Sequence, residues 1–377
     1  MGGELSVAKN IQREMLPKTF PPDIFGMVEP AREVGGDLFD FFFRDGKLFF
    51  CIGDVSGKGA PSAMLMSVIH SLFRLVAKRV ESPALIIREL NEQICPGNDS
   101  NMFVTFFVGV LDMYRGKLHF CNAGHDKPFL LTSAVELLQA KANLPLGVFS
   151  KTEFEEQSID MAPGDSIFLY TDGLTEARNV SRAAFGRSGV EEVLNNCART
   201  PRMTARMLVD TMSDAVHGFA GSAPQSDDLT MLLIRYEPGE IVRDSIELVN
   251  RKEEVAKLSG FTKAFCAALD LDGRQASGLR LALEEAVANV ICYAYPEGEE
   301  GKVSIYAESN RREVRFTVVD SGFPFDPTAA LPTDTSLDAG SRQIGGLGIH
   351  LTRKLMDSVS YRREAGNNIL TLTKSII

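Results

Sequence analysis

Four short segments each put an aspartate at or beside the end of a strand-like run: Val34-Gly35-Gly36-Asp37, Ile52-Gly53-Asp54-Val55-Ser56-Gly57-Lys58-Gly59, Tyr170-Thr171-Asp172-Gly173 and Ser226-Asp227-Asp228-Leu229-Thr230. Carboxylates gathered in one place resist ionising beside one another unless a cation neutralises them, so convergence of the four would imply a metal cluster. Acceptor-only oxygens with no accompanying Cys/His set select magnesium or manganese over zinc. A single Asp-Gly step is an ordinary turn signal. The information lies in all four together, in this order and with these neighbours. The glycines at 35, 36, 53, 57, 59 and 173 let the backbone approach an ion closely. Two divalent ions so held can lower the pKa of a bridging water enough to give hydroxide near neutral pH, the nucleophile for in-line attack on phosphorus.

A second set of residues follows in the last third of the chain. In Leu283-Glu284-Glu285-Ala286-Val287-Ala288-Asn289-Val290 the residues Leu283, Ala286, Val287 and Val290 share one helical face. Glu285 and Asn289, four apart, share the opposite one. An acidic base beside an amide able to hold magnesium suits phosphoryl transfer from ATP. Val319-Asp320-Ser321-Gly322-Phe323-Pro324-Phe325-Asp326-Pro327 ends a strand with an aspartate and a glycine turn. Ile344-Gly345-Gly346-Leu347-Gly348-Ile349 then opens a helix, whose backbone N–H groups can hold phosphates.

The first set resembles the PPM (protein phosphatase 2C-like) family in its bacterial SpoIIE/RsbU branch, over about residues 8–236. The resemblance makes Asp37, in E-V-G-G-D-L-F-D, and Asp54, in I-G-D-V-S-G-K-G, metal ligands, with the Val55 carbonyl as a further one. It adds Asp172 from Y-T-D-G-L-T-E and Asp227 from D-D-L-T, and puts Asp228 behind the ligands. Asn122–His125 (N-A-G-H) and Leu144–Gly147 (L-P-L-G) match as well. His125 suits either a general acid or a hydrogen-bonded structural histidine at a strand end. Lys58 suits either a phosphate contact or a solvated loop position. The helix after the Asp54 loop resembles the family's regulatory helix, which couples metal occupancy to dimer or sensor state.

The second set resembles the GHKL ATP-binding fold, specifically the RsbW-type anti-sigma-factor kinases. That resemblance implies Glu285 as catalytic base, Asn289 as magnesium ligand and Asp320 as reader of adenine. It implies Gly322 in the adenine pocket, Gly346, Leu347 and Gly348 in the phosphate loop, and residues 328–343 as a lid over ATP. Tyr293 departs from the histidine common in that family's H-A-Y, outside these positions. A sensor histidine kinase fits less well, because His70 in Ser67-Val68-Ile69-His70-Ser71 lacks the acidic neighbour of a phosphoacceptor helix. MutL- and gyrase-type ATPases carry a large following domain, whereas the sequence stops at Ile377.

The elements that must position these residues can be read coarsely. Residues 4–16 predict a short amphipathic helix ending at Pro17, which in the resembled family leaves an upstream sensor. Strands are expected over Lys47–Ile52, Met102–Asp112, Lys117–Asn122, Ser166–Thr171 and Leu229–Tyr236, with a hairpin turn at Tyr114-Arg115-Gly116. Helices are expected near 61–79, 83–94, 188–198 and 202–219. Tyr236-Glu237-Pro238-Gly239-Glu240 breaks the pattern and sets a boundary near residue 240. A strand at Ser245–Val249, helices near 252–269 and 274–294, strands near 302–308 and 312–319, a helix near 347–357 and a strand 368–374 follow.

A chain of 377 residues with 44% hydrophobic and 24% charged residues suits two soluble domains. A net charge of -10 and the lack of a long basic block argue against nucleic acid as partner. Six scattered cysteines without a C-x-x-C pair read as reduced thiols of a cytoplasmic protein. No apolar run approaches the roughly 20 residues of a membrane span, and no signal-peptide pattern opens the chain.

The expected fold class is α+β: a PPM-type α-β-β-α sandwich over 18–238, then a GHKL-type α/β ATP-binding sandwich over 241–377, with 1–17 a linker helix. The expected cofactors are manganese or magnesium at a two-metal site, and ATP with magnesium. The expected function is a bifunctional partner-switching regulator. Its phosphatase would act on a phosphoserine or phosphothreonine of a STAS-domain anti-anti-sigma-type protein, and its kinase domain would phosphorylate such a protein. A sigma factor or anti-sigma partner, an upstream sensor or response-regulator domain and a homodimer complete the expected partners. The alternative is a phosphatase alone, whose C-terminal domain senses ATP or binds a partner.

Overall fold

The computed structural model describes residues 2–376 apart from 97, 99, 100, 142, 240, 297, 311 and 329–345, and leaves out the side chains of 2–6, 346–348 and 350. Two compact units meet in the sequence between Glu237 and Pro238.

The first unit begins with α1 (Gly2–Met15), β1 (Ile24–Glu29), β2 (Leu38–Arg44), β3 (Lys47–Val55), α2 (Ala60–Val76) and α3 (Pro83–Ile94). The strands β4 (Val104–Asp112), β5 (Lys117–Ala123), β6 (Phe129–Leu131), β7 (Val135–Leu137), β8 (Gln157–Asp160) and β9 (Ser166–Tyr170) follow. It closes with α4 (Asp172–Glu176), α5 (Gly186–Ala198), α6 (Ala205–Ala220) and β10 (Leu229–Arg235). The strands form two sheets, ordered β1-β10-β9-β6-β7 and β2-β3-β4-β5-β8.

Side-chain chemistry dictates this layering. β9 is buried at every position and β10 at all but its last, as strands covered on both faces must be. Phe39, Phe50, Phe107 and Phe120 of one sheet meet Ile167, Leu169, Leu232 and Ile234 of the other in a core between the sheets. Met66, Ile69 and Phe73 of α2, with Ile86, Ile87 and Leu90 of α3, cover the outer face of β3–β5. Val190 and Leu194 of α5, with Leu208, Val209 and Met212 of α6, cover the outer face of the other sheet. The result is an α-β-β-α sandwich. Ser82 and Thr204 accept from Leu85 N and Met207 N, which fixes where α3 and α6 begin.

The second unit contains β11 (Val242–Val249), a 3-10 turn (Lys252–Glu254), α7 (Val255–Ala268), α8 (Gly273–Tyr293), β12 (Lys302–Ser309), β13 (Glu313–Asp320), α9 (Gly346–Leu355), β14 (Ser358–Glu364) and β15 (Asn367–Ser375). Its sheet runs β11-β12-β13-β15-β14, and each neighbouring pair is antiparallel. Every second residue of β12 (Val303, Ile305, Ala307 and Ser309) is buried, the period of a sheet covered on one side. Val303, Ile305 and Ala307 meet Leu258 and Phe265 of α7 and Leu279, Leu283, Ala286 and Val287 of α8.

The structure adds strands that the sequence reading did not contain. β1 carries a glycine, and an added Cβ at Gly26 would come within 2.8 Å of the Phe39 ring. β2 is rich in aromatics, Phe39 and Phe41–Phe43 around a single Asp40, without regular alternation. β6, β7 and β8 span three, three and four residues, too few for any period to register. β14 is a polar edge strand.

Candidate functional site

In the first unit, Asp37 stands immediately before β2 and Asp54 is the penultimate residue of β3, with Val55 last. Asp172 is the first residue of α4, two residues beyond β9, and Asp227 lies two residues before β10. Neighbouring strands β9 and β10 run antiparallel, with Tyr170 opposite Met231. The end of one is therefore the start of the other, and Asp172 and Asp227 emerge side by side. Asp37 and Asp54 come from the facing sheet.

The electrostatics record the convergence. Burial, and then the Asp54 charge, hold the Asp37 carboxyl well above its usual range, while the Thr171 hydroxyl, donating to Asp37 Oδ2 at 2.7 Å, pulls the other way. Asp54 is pushed up to about 7 by burial and then by Asp172, with Asp227 and Asp228 adding. Burial, and then Asp227, push Asp172 up to about 6. Among the described residues no three Asp, Glu, His or Cys side chains close into a finished ligand cage. Asp37 is turned onto Thr171, and Asp227 Oδ2 accepts from Lys58 Nζ at 2.6 Å. The donor set still fits hard divalent ions. It consists of carboxylates that destabilise one another's charge, the condition a cation relieves.

Residues around the carboxylates hold the loops that carry them. Asp228 Oδ1 accepts from Ala31 N at 2.8 Å, and Oδ2 from Gly36 N at 2.7 Å. Gly35 has no room for a side chain, since an added Cβ would lie 2.3 Å from Asp228 Oδ2. An added Cβ at Gly36 would lie 2.9 Å from the Val55 carbonyl. The buried amide of Gln12, on α1, brackets the Gly35 peptide: Nε2 donates to Gly35 O at 2.7 Å, and Gly35 N donates to Oε1 at 3.1 Å. Sequence reasoning missed Gln12, Thr171 and this use of Lys58. Lys58, which also donates to Ser226 O at 2.7 Å, is held by the Asp227 loop.

A cleft of about 460 Å³ opens beside Asp54 and Asp172, lined also by Thr105, His125, Lys127 and Arg187. Burial drives the His125 pKa down to about 4, and its Nδ1 lies 3.0 Å from the Thr105 hydroxyl. Asn122 clasps the His125 backbone, accepting from its N at 2.7 Å and donating to its O at 3.0 Å. A neutral imidazole held this way is a poor proton donor near neutral pH.

In the second unit, Asn289 on α8 and Asp320 at the end of β13 line one pocket, with Ala286, Val290, Phe323, Phe325, Tyr361 and Asn368. Gly322 is required there, because an added Cβ would sit 2.2 Å from the Ala294 carbonyl after α8. Apolar walls with one buried carboxylate suit a flat heterocycle carrying a hydrogen-bond donor. Glu285, one helical turn before Asn289, is half-buried and is not among the residues lining this pocket. Gly346, Leu347 and Gly348 form the first turn of α9 instead of a loop ahead of it. Of the expected lid only Thr328 falls within the described residues.

An α-β-β-α sandwich with a carboxylate cluster, followed by a helix-on-sheet sandwich with an apolar pocket closed by the buried Asp320, defines a PP2C-type phosphatase domain followed by a histidine-kinase-type ATPase domain. The chain belongs to the family described as Stage II sporulation protein E (SpoIIE), matched over residues 44–237, and residues 248–374 match the histidine kinase-like ATPase domain. Phosphoserine phosphatase RsbU of Bacillus subtilis is 29% identical over 182 residues, 46% of this chain and 54% of that protein. An anti-sigma F factor of Clostridium beijerinckii is 32% identical over 132 residues, 34% of this chain and 91% of that protein. The solved RsbU and RsbW domains of Rv1364c from Mycobacterium tuberculosis share the fold across both units, with a TM-score of 0.52, 23% identity and coverage of 95% of this chain and 94% of that one. The chain spans about half the length of the curated relatives that match its phosphatase part. No helix among the described residues is long and apolar enough to cross a membrane.

Proposed function

We propose that the protein is a bifunctional partner-switching regulator: residues 18–238 dephosphorylate a phosphoserine or phosphothreonine of a STAS-domain anti-anti-sigma-type protein, and residues 241–377 phosphorylate such a protein from ATP. Residues 1–17 serve as the linker helix from an upstream sensor. The observation that carries this reading is that one chain holds both the four-aspartate cluster and the Asn289–Asp320 pocket. Asp37, Asp54, Asp172, Asp227 and the Val55 carbonyl would hold two magnesium or manganese ions. When bound, such ions supply charge neutralisation and an activated water at neutral pH. Asp228 and Thr171 hold the ligand loops in place, and the adjoining cleft admits the phosphorylated segment. In the second unit Asn289 would hold the magnesium of ATP, Asp320 would accept from the base, and Glu285 would take the proton of the acceptor hydroxyl.

The half-buried position of Glu285 outside the pocket walls favours a second reading, a phosphatase whose ATPase-type domain only senses nucleotide or binds a partner. The two separate in one experiment. A STAS protein from the same genome is incubated with ATP and with Asp54→Ala or Glu285→Ala protein, then resolved on a phosphate-affinity gel. Bifunctionality predicts a phosphorylated end state with the first and a free one with the second, because sites in separate domains without shared partners act independently. The same end state with both leaves the phosphatase alone.

A further inference from the structure

The carboxylate of Asp320 is held from one side only. Its Oδ1 accepts from Gly322 N at 2.9 Å and from Asn368 Nδ2 at 2.8 Å. No donor among the described residues is recorded at its Oδ2. Asn368 stands directly opposite Asp320 in the β13–β15 ladder, and both are 5% exposed. Every hydrogen-bonding capacity of that amide is used. Nδ2 also donates to Phe323 O at 3.0 Å, while Oδ1 accepts from Tyr361 Oη at 2.8 Å and from Arg363 Nη1 at 2.6 Å. The guanidinium donates again to Gly322 O at 3.1 Å. A guanidinium cannot accept, so it fixes which end of the amide is the carbonyl and forces the N–H₂ towards Asp320.

We propose that Tyr361, Arg363 and Asn368 form a positioning relay that presents Asp320 Oδ2 to the exocyclic amine of a purine and thereby sets adenine-over-hypoxanthine specificity. The inference rests on the nucleotide-binding reading of the pocket. A carboxylate saturated at Oδ1 and pinned in the sheet offers one fixed acceptor. Adenine presents a donor at C6. Hypoxanthine and guanine present a carbonyl there, which would set lone pairs against lone pairs, and a rigid site cannot turn away to relieve them. Without the relay the carboxylate can rotate, and the discrimination falls.

The test is calorimetric titration of the whole chain, with magnesium, against ATP, inosine triphosphate and the triphosphate of unsubstituted purine riboside. Wild type should prefer ATP over the unsubstituted analogue by roughly tenfold to a hundredfold, as a hydrogen bond to a charged acceptor implies. It should bind inosine triphosphate more weakly still. Asn368→Ala and Arg363→Ala should bring ATP within about threefold of the unsubstituted analogue by weakening ATP alone, while Arg363→Lys, which keeps a donor, should restore part of the preference. Arg363 is exposed, so its variants carry the test if Asn368→Ala does not fold. Variants that weaken all three ligands equally, or keep the wild-type ratio, overturn the relay and leave the pocket standing. A wild type that binds none of the three overturns the nucleotide reading and this inference with it.

Discussion

His125 is the group whose environment makes the sharpest statement about protonation. Its pKa, pushed down to about 4 by burial, lies below the roughly 6.5 of an unfolded histidine. The folded state therefore favours the neutral ring. The stabilisation is complete above about pH 6.5 and is lost as pH falls towards 4, because only the unfolded chain takes up the proton across that window. The shift converts to at most about 3 kcal/mol. Denaturant melts of wild type and His125→Gln between pH 4 and 7 isolate it, since the carboxylates nearby titrate in both proteins and cancel in the difference. A difference that does not change with pH would remove the buried neutral histidine. Lys58 has the opposite lesson. Its loop position does not distinguish a solvated lysine from a phosphate ligand, and the deciding partner, Asp227, lies 169 residues away.

Two helices hold the phosphatase strands through buried polar contacts. Asp40 of β2 is fully buried, and Arg74 of α2 binds both its carboxylate oxygens, with His70 Nε2 3.1 Å from Oδ2. Arg74→Ala leaves a buried carboxylate short of its main cation; because the Arg74 side chain is 38% exposed, the cost should fall below the about 3–5 kcal/mol of a fully buried pair. A thermal or denaturant melt should show the loss, and an unchanged midpoint would mean that water reaches Asp40. α1 acts on the Asp37 loop through the Gln12 amide. Gln12→Ala removes both hydrogen bonds to the Gly35 peptide, two residues from Asp37. The expected result is phosphatase activity lowered by on the order of tenfold, from about 1–3 kcal/mol of lost loop ordering, with ATP binding unaltered. Equal activity in both proteins would make α1 a passive leader.

Across the whole molecule, each of the two compact units would take its own ligand, and each ligand should stabilise its own unit. Binding to the native state alone adds about 2.7 kcal/mol at a ligand concentration one hundred times Kd. Manganese or magnesium should therefore raise one transition in differential scanning calorimetry and ATP-magnesium the other. Excess chelator should abolish phosphoserine hydrolysis. A single transition shifted by either ligand would mean that the units unfold together, and full hydrolysis in chelator would remove the metal reading.

Much of this was legible from local pattern. The period of apolar residues marked α2, α3 and α8, because a side chain's face is fixed by its position in a repeat of 3.6, and apolar or alternating runs, several bounded by Gly or Asp, marked β3, β4, β9 and β10. The aspartates stood out because each lies at or beside a strand end, with a glycine next to Asp37, Asp54 and Asp172, and the Glu285–Asn289 spacing followed from one helical turn. What closed these pieces into sites was not local. Asp228 reaches Gly36 across 192 residues, Asn368 reaches Asp320 across 48, and Gln12 reaches Gly35 across 23. Such contacts depend on which strands become neighbours and in what register. That outcome is set by burying all the apolar faces at once, and no window of sequence contains it.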